Sequence, residues 1–194
     1  MLSSIHPLGE RARHNRWFIT VSAFTIGAVV SGAAVGFALG GLGSAILGVS
    51  TTTLLVATAV VALTAGLLDL VGPKAPGPAR QVNETWIGSF RGWVYGGAFG
   101  LELGLGVFTY VVTWGVYATF LAALLTTSPL AGALVGATFG IGRSISVLAA
   151  GYVDRPSRLV SFNRALVEAG PVVRTGASTA FAALGLVSIA GGLL

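Results

Sequence analysis

The sequence predicts an all-α fold: a polytopic transmembrane helical bundle of about five spans with glycine-zipper packing and its N-terminus in the cytoplasm. Three observations carry this. Apolar residues make up 54% of the 194 residues and charged residues only 9%, whereas a soluble domain carries about 25% charged residues. The mean hydropathy is +0.87, and the apolar residues fall into runs near the ~20 residues that a bilayer-crossing helix needs. Twenty-nine glycines recur with no collagen period, many of them four residues apart.

The elements follow in chain order. Residues 1–16 form a cytoplasmic leader that holds Arg11, Arg13 and Arg16 together with both histidines, His6 and His14. Residues 17–194 form a single integral membrane domain. The first span starts at Trp17 and runs to about Gly40. It is longer than the 7–15-residue apolar core of a signal peptide and leads into further apolar sequence, so it reads as a retained helix. The second covers about 44–71 and stops at Gly72-Pro73-Lys74-Ala75-Pro76-Gly77-Pro78, where prolines remove backbone donors and glycines favour turns. The third apolar run extends from Trp93 to Leu125, roughly 50 Å as one helix against a hydrocarbon core of ~30 Å. Trp93 and Tyr95 precede Trp114 and Tyr117 by about 21 residues, a rise of roughly 30 Å that fits aromatic belts at two interfaces. The span is therefore expected over 93–117, with 118–125 as a helical extension or a segment lying on the outer surface. The fourth and fifth spans cover about 130–150 and 176–194.

Charge sets the orientation. Arg11, Arg13, Arg16, Lys74, Arg80, Arg91, Arg155, Arg158, Arg164 and Arg174 all fall in segments that a five-span chain with an inside N-terminus keeps inside. The outer connections, near Gly41–Gly43 and Thr126–Pro129, carry no charge. This is the positive-inside pattern; with arginine outnumbering lysine ten to one and Ala, Gly and Val abundant, as in a GC-rich bacterial genome, a bacterial plasma membrane is expected. The net charge of +5 is accounted for in the same way, so no nucleic-acid partner is expected; the lipid bilayer is.

The glycines form rows. Gly32, Gly36 and Gly40 mark the first span, Gly96, Gly100, Gly104 and Gly106 the third, and Gly132, Gly136, Gly140 and Gly142 the fourth. Lipid supplies no hydrophobic drive for helix association, so small residues that admit close backbone contact must supply it. Such rows serve packing within the bundle or a homo-oligomer. Ser50, Thr51, Thr52 and Thr53 near the start of the second span are read as hydroxyls bonded within their own helix.

Zero cysteines exclude disulfides and thiolate metal sites. The sequence offers no intramembrane histidine, no close carboxylate pair and no phosphate loop, so neither an enzyme, a metal nor a cofactor is expected. Three ionisable residues remain at membrane depth. Asp69 lies within a turn of the inner end, where headgroups or an arginine can solvate it. Glu102 and Arg143 lie deeper, at about 13–14 Å and 12 Å from the inner ends of their spans. An ionisable residue inside a span is a functional hypothesis by default. Equal depth on neighbouring helices predicts an intramembrane Glu102–Arg143 ion pair, with the third span as the central helix.

Residues Gly97-Ala98-Phe99-Gly100-Leu101-Glu102-Leu103-Gly104-Leu105-Gly106 and Phe139-Gly140-Ile141-Gly142-Arg143 give the stretch 92–151 a resemblance to the DsbD/CcdA-type transmembrane module and its LysE-like exporter superfamily. The resemblance implies a scaffold of packed helices that moves a cargo. Reductant transfer in that group needs a cysteine in each half of the module, and this chain has none. Two functions are thus expected to compete: a small transporter or permease, and a non-catalytic membrane subunit or anchor of a larger complex.

Overall fold

The computed structural model describes residues 5–77, 85–106, 111 and 113–193. Among them it is all-helical, without strands. The helices are α1 (Pro7–Ala12), α2 (Trp17–Ile46), α3 (Thr51–Val71), α4 (Trp86–Ser89), α5 (Gly92–Gly104), α6 (Gly115–Leu125), α7 (Pro129–Ala149) and α8 (Pro156–Leu193), with a 3-10 turn at Ala150–Tyr152. Three helical stretches are long and apolar enough to cross a membrane: Trp17–Ile46, Thr51–Val71 and Pro129–Tyr152. A fourth is reached if the two parts of α8, bent by 44° between Gly170 and Thr175, form one span. Pro171 lies in that bend and has no N–H to continue the helical ladder.

The helix ends have local causes. α2 runs through Gly41–Gly43, so the connection expected there moves to residues 47–50. The Leu47 N–H closes the helix on Gly43 O at 2.9 Å, and Ser50 caps α3 by accepting the Thr53 N–H at 3.3 Å. α7 starts with Ser128 accepting the Ala131 N–H and with Pro129 in the first turn, where its missing donor costs nothing. α8 begins twenty residues before the expected fifth span, taking up most of the segment assigned to an inner loop.

The third apolar run is not one helix. α5 stops at Gly104, and Gly106 has φ +68°, a left-handed conformation that a side chain disfavours. The chain resumes as α6 at Gly115. The belt reading of the aromatics is corrected with it. Trp114 Nε1 donates to Pro73 O at 2.9 Å, and the Tyr117 hydroxyl donates to Pro76 O. Both rings are tied to the connection after α3, the segment that the belt reading had placed at the opposite interface.

Packing makes α2 the central helix, in place of the third span. α5 and α7 lie along it, α6 touches its second half, and α8 packs against α3. α5 runs parallel to α2 and α7 antiparallel to it, as the facing residues of their glycine rows show. Ile5, Val21, Phe24, Tyr95, Phe99 and Val147 form one core, with Trp86 of α4 stacked on Phe99 at 6.2 Å. Val111, Val116 and Phe120 form a second. Ala150, Val153 and Phe162 form a third under α8.

Candidate functional site

The most highly built polar cluster lies where the leader meets the helix starts. α1 is a short helix capped by His6, whose Nδ1 accepts the Gly9 N–H at 3.1 Å. It carries Glu10 to a position with no solvent exposure. One carboxylate oxygen accepts the Tyr95 hydroxyl from α5 and lies 3.6 Å from Arg13 Nη2. The other accepts Thr20 Oγ1 from α2 at 2.8 Å. Asn15 adds a cap, its Oδ1 accepting the Gly92 N–H at the start of α5 at 3.3 Å, which satisfies one of the donors that a helix N-terminus leaves open. Leu8 N–H donates to Val153 O at 3.2 Å, joining the leader to the end of α7. One carboxylate thus holds three elements, since a buried charge is tolerated only when paired and hydrogen-bonded.

Sequence reasoning missed this cluster. A leader with three arginines reads as solvated, and Glu10 has no partner nearby in sequence except Arg13. The one signal was the apolar pair Ile5 and Leu8 among the polar residues; Ile5 is 1% exposed.

His6 is also buried, and burial first, then the Arg13 charge, holds its pKa below the ordinary 6.5. The unfolded chain therefore binds a proton at pH values where the folded chain does not, and stability falls as the pH drops below about 6.5. Protonation also removes the Nδ1 lone pair that caps α1. Acidification from pH 7.5 to 5.5 is expected to speed tryptic cleavage within the leader, and His6→Asn, which keeps an acceptor, to flatten that dependence. Identical pH profiles for the two proteins would remove His6 as the cause.

Asp69 forms the second polar junction. The carboxylate is 5% exposed, which corrects its expected place in the interfacial solvent. Oδ1 accepts the Trp114 N–H at 2.7 Å and Oδ2 the Gly115 N–H at 3.3 Å. A side chain of α3 thus caps the N-terminus of α6, where a negative charge also meets the helix dipole favourably.

The residues singled out from sequence sit as follows. Gly32 and Gly36 of α2 meet Gly136 and Gly132 of α7 so closely that a Cβ on any of the four would overlap the facing carbonyl oxygen. Gly40 meets Ser128, and Gly140 meets Ala28. On α5, Gly96, Gly100 and Gly104 lie against the α2 backbone at Thr20, Phe24 and Ala28. Glu102 and Arg143 are both half-buried. The Arg143 guanidinium lies 5.5 Å from the centre of the Phe139 ring, and among the described residues no ion pair joins it to Glu102. α5 runs unbroken from Trp93 through Glu102 and α7 holds Arg143, so the helical rises from which equal depth was reckoned are both present. Three acidic or histidine residues gather nowhere as a metal site among the described residues.

Comparison with known proteins changes the family reading. The chain is similar to the methylamine utilization protein MauF of Paracoccus versutus, 33% identical over 153 residues, covering 75% of this chain and 55% of that protein. The MauF proteins of Paracoccus denitrificans and Methylophilus methylotrophus are 34% and 32% identical over 151 residues, each covering 75% of this chain and 54% and 53% of their own lengths. The chain therefore spans about half the length of the curated relatives it matches. No family model matches the chain, and no solved structure matches it. The resemblance to the DsbD/CcdA and LysE-like modules is overturned by these matches; Gly100, Gly104 and Gly140 in the stretches that suggested it lie against the α2 backbone, a demand of close helix packing that unrelated proteins share. The named relatives of this chain are MauF proteins, and neither the reductant-carrying nor the exporter modules are among them.

Proposed function

We propose that the chain is a non-catalytic membrane subunit that anchors or organises a larger assembly serving methylamine utilisation. The observation that carries this reading is the similarity to MauF proteins over three-quarters of the chain. The polar geometry supports it. Glu10 and Asp69, the two most buried carboxylates described, are spent on joining helices to each other. No finding speaks for a transported cargo, and the transporter reading yields to the subunit reading.

The same proposal includes the membrane arrangement. Five crossings, made by α2, α3, the broken α5–α6 pair, α7 and the second part of α8, keep ten of the eleven basic residues on one side in a plasma membrane. The expected result is that a reporter inserted at Lys74 reads as cytoplasmic and one placed after Leu194 as extracytoplasmic. A cytoplasmic reading for both would reduce the count to four.

A pull-down in mild detergent from cells grown on methylamine tests the function. Retention of a defined set of methylamine-utilisation proteins, lost when the chain is deleted from the bait, is the expected result. Recovery of the chain alone, together with a water-accessible stripe through α5 and α7 in labelling experiments, would return the transporter to first place.

A further inference from the structure

We propose that the crevice enclosed by α3, α6, α7 and α8 binds one acyl chain of a bilayer lipid as a fixed component of the fold. The crevice has a volume of about 610 Å³, within the roughly 300–1,000 Å³ of ordinary ligand sites. Its walls are made by residues such as Leu55, Val61 and Ala62 of α3, Ala122 and Leu125 of α6, and Phe181 of α8. No charged side chain lines it.

Three of the five threonine hydroxyls along it are already engaged. Thr58 donates to Leu54 O and Thr119 to Gly115 O, each at 2.8 Å, and Thr126 donates to Ala123 O at 2.7 Å. Each of these three thus spends its donor on its own helix. A cavity of this chemistry gives water too few partners and stays dry unless an apolar molecule enters.

Length and place identify that molecule. From Thr51 to Ala62 the crevice follows α3 for about 16 Å, half of the ~30 Å hydrocarbon core. One leaflet's acyl chain has that reach. One end is lined by Thr51, Thr126 and Thr127, at the start of α3 and the end of α6, where polar groups suit the ester region of a lipid. The other end is lined by the apolar side chains of Ala62, Ala118 and Phe181. In a membrane the apolar solute present in excess at this depth is the lipid chain itself, and an empty crevice would forfeit its dispersion contacts.

The test uses the full chain, reconstituted in nanodiscs of palmitoyl-oleoyl phosphatidylglycerol, extracted in mild detergent and weighed by native mass spectrometry. About one phospholipid retained per chain is expected. Ala122→Phe and Val61→Phe, which fill the crevice from opposite walls, are expected to lower retention by at least about tenfold in protein that melts as the parent does. For a readout without substitution, a phosphatidylcholine with a diazirine at its chain end is expected to label peptides containing Ala62 or Ala118 in preference to Leu134, which is 74%-exposed Leu130's neighbour on the outer face of α7. A lipid-free monomer, a lipid-free homodimer closing the crevice, or labelling no stronger at Ala62 and Ala118 than at Leu134 would each overturn the proposal.

Discussion

Replacing Glu10 by alanine is expected to release the leader from the bundle. The substitution removes a fully buried carboxylate and leaves the Tyr95 and Thr20 hydroxyls and the Arg13 guanidinium without their common acceptor. Breaking a buried, hydrogen-bonded charge cluster by deleting one member costs about 2–4 kcal/mol. If that cost falls on local opening of residues 5–16, the open population rises about thirtyfold for each 2 kcal/mol. Trypsin then cleaves at Arg11, Arg13 and Arg16 correspondingly faster, because cleavage follows the open state. Glu10→Gln keeps one acceptor and is expected to fall between the parent and Glu10→Ala. Tyr95→Phe combined with Glu10→Ala should cost less than the sum of the two singles, since they share one interaction. Unchanged cleavage in Glu10→Ala would show that the leader is held by its apolar contacts alone.

Gly136→Leu is expected to give the largest loss of folded protein of any single change in the long apolar helices. A Cβ at Gly136 overlaps Gly32 O, a backbone atom that cannot rotate away. α2 and α7 must then separate along their whole contact, which forfeits the van der Waals packing that holds helices together in lipid. The cost is at or above the ~1–3 kcal/mol of ordinary overpacking. Gly142→Leu provides the control on the same helix, since nothing lies within 4 Å of a Cβ there. The measurement is monodisperse yield after detergent extraction. Equal yields for the two variants would remove the close approach of α2 and α7 as a determinant of folding.

Hydropathy revealed the helices that are apolar over their whole length and failed where partners come from distant sequence. Trp17 and Pro129–Leu130 mark the starts of α2 and α7 because an apolar run begins there and nothing interrupts it. The glycine spacing is visible in the sequence, but which row meets which, Gly36 on Gly132 and Gly100 on Phe24, exists only in three dimensions. Gly104-Leu105-Gly106 has the same look as the packing rows, yet Gly106 ends a helix through its positive φ. Composition does not separate those two uses of glycine. Asp69 was read by depth alone and Glu10 drew no reading at all, because their positions depend on the N–H groups of Trp114 and Gly115 and on the hydroxyls of Tyr95 and Thr20. Tyr117 was assigned by its affinity for an interface, and its hydroxyl reaches a proline carbonyl instead.

In the five-crossing arrangement proposed above, the break between α5 and α6 bears on how the nascent chain enters the bilayer. α5 has 13 residues and α6 has 11, about 20 Å and 16 Å of helix, so neither alone covers the ~30 Å hydrocarbon thickness. Each also ends with backbone groups that lipid cannot satisfy. Lateral release from the insertion machinery thus favours a partner already in place: α2 for α5, and α3, which supplies the Asp69 cap, for α6. Both partners precede the broken pair in order of synthesis, so the chain emerges with the templates first and the two half-length helices after them.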